Sequence, residues 1–187
     1  MSAIESTEMQ ILAEKVNRLE RELAEIRDRV PEERATIVVF SGDLDKVLAA
    51  FVIATGAAAA GLQTTMFFTF WGLCVIKKPG TTAGAKSFKE KMFAAMTPSG
   101  SEKLGVSRMN FMGIGAQMLR AMMKEKGIAS LEELMGVARD LGVKIIACTM
   151  SMDAMGVSEK DLVDGLEYGG VATYMAEAAR SKVTLFV

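Results

Sequence analysis

Histidine is absent from the 187 residues. Without it neither a Ser-His-Asp triad nor a Cys-His pair can be built. A zinc site would have to draw on two cysteines and carboxylates, an unusual ligand set. The two cysteines, Cys74 and Cys148, fit no CxxC spacing. The first ten residues, MSAIESTEMQ, are polar and acidic, unlike a secretory or transit peptide. A chain with two cysteines and no export signal is expected in the cytoplasm with reduced thiols. Charge of one sign is lacking too: 22 Lys and Arg stand against 23 Asp and Glu, with no basic run. Phosphate neutralisation is therefore not its business, and no nucleic-acid partner is expected.

Charge is missing altogether from Val47 to Ile76. That is long enough to span a bilayer. The run also holds Thr55, Gly56, Gly61, Gln63, Thr64, Thr65 and Thr69, and its first half is mostly alanine. It divides at Gly61 into an Ala-rich helix and a β-branched, aromatic strand. A buried helix followed by a buried strand is the reading adopted, with membrane association as the alternative.

Half of the chain is apolar and about a quarter charged, a globular balance. Residues 4–30 read as one helix with Leu12, Val16, Leu19, Leu23, Ile26 and Val30 at alternating spacings of four and three, the heptad seam of a coiled coil. Three heptads are marginal for an isolated pair. The helix therefore joins a larger assembly, as in a homo-oligomer, or lies as an ordinary amphipathic helix on its own core. Pro31 ends it. This gives an N-terminal arm over 1–34 and a globular domain over 35–187.

Within the domain, ATIVVF (35–40), TTMFFTF (64–70), VKIIACTM (143–150) and VTLFV (183–187) are strand-length apolar runs. Helical segments separate them: Leu44 to Ala60, a turn at WGLCVIKK, AQMLRAMMKEKG ended by Gly127, and SLEELMGVARDLG. Ser130 and Glu133 form a capping box for the last of these. Ser158 caps a short helix, and EYGGVATYMAEAARS gives a Gly-Gly turn and a helix. Alternating β and α predicts an α/β fold with a three-layer, flavodoxin-like, doubly wound parallel sheet. Residues 77–115 are an insertion rich in Gly and Pro, with a helix at AKSFKEKMFAAM (85–96). Its methionines, with Met109, Met112, Met118, Met122 and Met123 around it, suit a Cu(I) site, an adaptable binding surface, or a core or subunit interface. NFMGIG (110–115) matches neither a P-loop nor GxGxxG, so no nucleotide cofactor is expected.

Open α/β sheets bind ligands outside the carboxyl ends of their strands. Both cysteines fall at such ends. Cys148 closes a hydrophobic strand and is followed by Thr149, Ser151 and Asp153, which can cap a turn and present free N–H groups to a thiolate. It is either a nucleophile needing no histidine or an inert buried thiol. Cys74 sits in an apolar turn with Trp71 and Leu73, as a structural residue or as a relay thiol for Cys148.

VKIIACTMSMDAMG, followed by EYGGVATYMAEAARSKVTLFV, resembles the larger, DsrE-like group of the DsrE/DsrF family of sulfur-relay proteins. So do ATIVVFSGDLDKVLAAFVIATGAAAAG, FFTFWGL, NFMGIG and SLEELMGVARDLG. The resemblance covers about residues 35–187. It implies homo- or hetero-oligomers and a sulfurtransferase or sulfur-carrier role. The motif cysteine, here Cys148, would accept sulfane sulfur as a persulfide from a rhodanese-like donor and pass it to a small TusA-type carrier. That chemistry needs no metal, nucleotide or other cofactor. The competing reading is a non-catalytic oligomeric scaffold using the Met-rich insertion and the N-terminal helix, with Cys148 buried and unreactive.

Overall fold

The computed structural model describes residues 3–80, 97–108 and 110–187. The helix expected at 85–96 and the side chain of Met109 lie outside the described residues. The chain divides into two units, Met1–Glu32 and Glu33–Val187. The first is a single helix, α1 (Ala3–Arg29), with Pro31 just beyond its end.

The second unit is built on five strands: β1 (Glu32–Val39), β2 (Gln63–Phe68), β3 (Lys144–Cys148), β4 (Glu167–Gly169) and β5 (Ser181–Phe186). Their order across the sheet is β4-β3-β2-β1-β5. The ladders β1–β2, β2–β3 and β3–β4 are parallel. Beyond β5, Val187 N–H donates to Val38 O, and Phe40 N–H donates to Val187 O, the offset of a parallel ladder. The chain thus steps outward from β1 to β4 and then returns to the far side of β1. In the flavodoxin order 2-1-3-4-5 the second strand takes that outer place; here the last strand does.

Strand alternation sorts the sheet's side chains into two layers of unequal thickness. Ile37, Val39, Met66, Phe68 and Ala147 point into the larger core. There they meet α2 (Leu44–Ala59), α3 (Ile114–Glu125), α4 (Leu131–Asp140) and α5 (Thr149–Met155). Helix α2 buries Leu44, Val47, Leu48, Phe51 and Ala54, an apolar stripe at helical spacing, and Phe51 packs against Phe68 at 6.1 Å between ring centroids. The opposite layer is thin. Val38, Phe67, Ile146 and Cys148 form a separate buried cluster whose partly buried partner is Tyr174 of α6 (Val171–Ala178).

The uncharged run of 47–76 divides at Ala60 and Gly61 into α2 and β2, as read from its composition. Among the described residues no helix is long and apolar enough to cross a membrane. The capping box at α4 is complete: Glu133 N–H donates to Ser130 Oγ (3.2 Å), and Ser130 N–H donates to the Glu133 carboxylate (2.7 Å). Ser158 makes the equivalent box with Asp161 on a 3-10 turn. One sequence expectation is corrected. In place of the expected Gly-Gly turn, Gly169 ends a strand, because Glu167, Tyr168 and Gly169 pair with Ile146, Ala147 and Cys148, and Gly170 is the N-cap of the helix that follows.

Candidate functional site at the end of strand β3

The third strand is apolar because both its faces are covered. It ends at Cys148, whose extended backbone (φ −73°, ψ 112°) is the N-cap of α5. No loop intervenes, so the expected polar turn after Cys148 is instead helix. The reason is packing: Met152 and Met155, three apart, are buried in the larger core and hold the segment helical. Thr149 and Asp153 are exposed. Ser151 is fully buried, and its hydroxyl lies 2.7 Å from the Thr69 hydroxyl at the end of β2. Of the three polar residues, Ser151 thus bonds to Thr69, while Thr149 and Asp153 are exposed. Thr69, which no sequence motif marked, joins the two strand ends that carry the cysteines.

Cys148 itself has no exposed surface. Its cluster mates Val38, Phe67 and Ile146 come from three adjacent strands, and Tyr174 lies against them from α6. The Tyr174 ring is 5.2 Å from that of Phe67 at 35°. Gly169 stands opposite Cys148 on β4. A β-carbon on Gly169 would come within 2.8–3.0 Å of the Thr173 side chain, so the missing side chain lets α6 begin directly beside the β3 end.

The chain leaves β3 into α5, on the thick layer, and leaves β4 into α6, on the thin one. Adjacent strands whose connections depart to opposite faces make a topological switch point, where open α/β sheets place their ligands. Cys148 and Gly169 are the two strand-end residues at that switch point.

Helix α6 is weakly buried, with Val171 and Met175 exposed. Its second attachment lies at Glu177, whose carboxylate accepts from Arg34 on β1 (2.6 Å) and from Lys144 on β3 (3.3 Å). Burial works to raise the Glu177 pKa, but these two cations outweigh it and hold the carboxyl below its usual value.

Cys74 closes a 3-10 turn, Phe70–Cys74, and packs in the larger core. The two thiols therefore belong to separate clusters on opposite layers of the sheet. Burial pushes the Cys74 thiol up, with the nearby Lys77 charge opposing. The turn is tightly set: Phe70 has φ 46°, and a β-carbon on Gly72 would fall 2.0 Å from Val39 O. Among the described residues no group of three or more Cys, Asp or Glu could hold a metal ion. Of the methionines near the insertion, Met112, Met118 and Met122 are exposed, while Met123 packs against the larger core.

Comparison with known proteins gives this site its context. YrkE of Bacillus subtilis (strain 168), an uncharacterised protein, is 46% identical over 155 residues, spanning 83% of this chain and 97% of its own. The sulfur carrier protein DsrE2 of Allochromatium vinosum is 32% identical over 160 residues, spanning 83% and 99%. Among solved structures, the ychN protein of E. coli aligns over 82% of this chain and 99% of its own, at 12% identity and a TM-score of 0.45. The model of the DsrE/DsrF/DrsH-like family matches residues 31–186, all of the second unit but its last residue. The chain belongs to the DsrE/DsrF/DrsH-like family.

Proposed function

We propose that Cys148 is the sulfur-carrying atom of this chain, loaded as a persulfide and unloaded onto the thiol of a small carrier protein. The observation that carries the reading is the position of Cys148 at the switch point between β3 and β4, in a chain 32% identical to a protein named a sulfur carrier. In the loading step the Cys148 thiolate attacks the outer sulfur of a donor persulfide. The donor S–S bond breaks, the donor leaves as a thiolate, and Cys148 becomes Cys–S–SH. Unloading repeats the exchange with an acceptor thiolate attacking the outer sulfur. No net oxidation occurs, so neither metal nor redox cofactor is required. A rhodanese-like donor and a TusA-like acceptor fit this chemistry, and the cytoplasm fits its need for reduced thiols.

Because Cys148 is buried, loading needs α6 to move away from the thin layer. Its slight burial, with Tyr174 and Glu177 as its attachments, supports that motion. Burial by itself is shared with the scaffold reading; reactivity separates the two. Incubation with inorganic polysulfide followed by intact-mass spectrometry is expected to add one sulfur atom. The adduct should persist in Cys74→Ser and vanish in Cys148→Ser. An adduct retained in Cys148→Ser, or none in the wild-type chain with polysulfide or a rhodanese persulfide, would overturn the assignment.

A further inference from the structure

Helix α1 lies outside residues 31–186, the segment matched by the family model, so it adds something the shared domain does not account for. Its seam residues Leu12, Val16, Leu19, Leu23, Ile26 and Val30 are each 45–63% exposed. Helices seldom leave a continuous apolar stripe unpartnered. In heptad register Leu12, Leu19 and Ile26 take position d, and Val16, Leu23 and Val30 take position a. The helical hydrogen bonding reaches the last of these, with Val30 N–H donating to Ile26 O at 3.0 Å.

We propose that α1 pairs with α1 of a second copy of this chain as a parallel, in-register, two-stranded coiled coil. Two features select this occupant. The first is residue shape: β-branched side chains fill two of three a positions and leucine two of three d positions, the distribution that favours parallel dimers. The second is charge. Lys15 occupies g and Glu20 occupies the e position five residues on. A parallel pair therefore sets Lys15 of each helix against Glu20 of the other, twice per dimer. An antiparallel pair centred on the seam would instead face Glu20 with Glu20 and Glu22 with Glu22, like charges across both flanks. Both Lys15 and Glu20 are exposed in the single chain and available for this exchange.

The test uses full-length chains. Val16→Cys is mixed with an oxidising copper–phenanthroline catalyst and resolved without reductant. A disulfide needs α-carbons within about 7 Å, which same-position a residues meet in a parallel pair. Val16→Cys should cross-link to itself efficiently, whereas the wild-type chain and Glu14→Cys, on the opposite face, should not. Adding Leu19→Asp to Val16→Cys should abolish the product. Lys15→Glu should weaken it, and the swapped pair Lys15→Glu/Glu20→Lys should restore it. Failure of Val16→Cys to cross-link would overturn the proposal. So would preferential cross-linking of Val16→Cys with Ile26→Cys in a mixture, the antiparallel outcome. A cross-link indifferent to Leu19→Asp would likewise reject the seam, and a sedimentation mass requiring three helices per bundle would reject the dimer. None of these readouts depends on sulfur transfer.

Discussion

Replacing Tyr174 with alanine separates the cover of Cys148 from the rest of the fold. The ring is partly buried and packs on Phe67 at 5.2 Å. An aromatic pair contributes about 0.5–1.5 kcal/mol beyond its area. A fully buried aromatic costs about 3–5 kcal/mol to truncate, so the apolar part of this half-buried ring is about 1.5 kcal/mol. Together the closed position of α6 loses about 2 kcal/mol, which raises the open population about 30-fold. When opening is fast relative to alkylation, the alkylation rate follows that population. Iodoacetamide labelling, read as peptide masses over time, should therefore show Cys148 reacting about 30-fold faster in Tyr174→Ala. Cys74 supplies the internal reference, because it is buried in the other core layer. Its rate should stay near the wild-type value. If both thiols accelerate together, exposure occurs through global unfolding and α6 is not a local cover. If neither accelerates, Tyr174 does not guard the sulfur.

Ser151→Ala should destabilise the domain by about 1–3 kcal/mol in urea unfolding, because the Thr69 hydroxyl would be left buried without its partner; adding Thr69→Val should recover part of the loss. Gly72→Ala places a β-carbon 2.0 Å from a backbone oxygen, so the turn must shift, at a cost of about 3 kcal/mol, measurable as a lowered Tm. The folded-state pKa of Glu177 is depressed below its ordinary value of 4.5. Its contribution is thus present above pH 4.5 and lost as pH falls through the lower folded value. Glu177→Gln should flatten acid unfolding in that window, and an unchanged acid limb would refute the role of the Arg34–Glu177–Lys144 cluster.

Local chemistry made much of this fold legible. The capping boxes at Ser130 and Ser158 need only residues three apart, and the split at Gly61 needs only composition and length. Strand β4 was not legible, because Glu167, Tyr168 and Gly169 have no strand pattern of their own and become a strand only by pairing with β3. The helix after Cys148 was masked by Thr149, Ser151 and Asp153, which read as a turn, while Met152 and Met155 carried the overriding packing. The strand-end position of Cys148 could be read from the sequence, but its burial could not. That depends on which layer the cysteine faces and on α6 returning across that layer, a matter of strand order alone. The separation of Cys74 from Cys148 has the same origin.

The thinness of the layer over Cys148 also sets a rate law. A reagent attacking an exposed thiol reacts in proportion to its concentration without limit. A reagent that must wait for α6 to move cannot outrun the helix, so its observed rate levels off at the opening rate as concentration rises. That ceiling is a property of Tyr174, Glu177 and their partners, and it is common to every reagent small enough to enter. Chemically unlike electrophiles and sulfur donors should then converge on one maximal velocity at Cys148, making the sheet's lightly covered side a clock for whatever chemistry takes place beneath it.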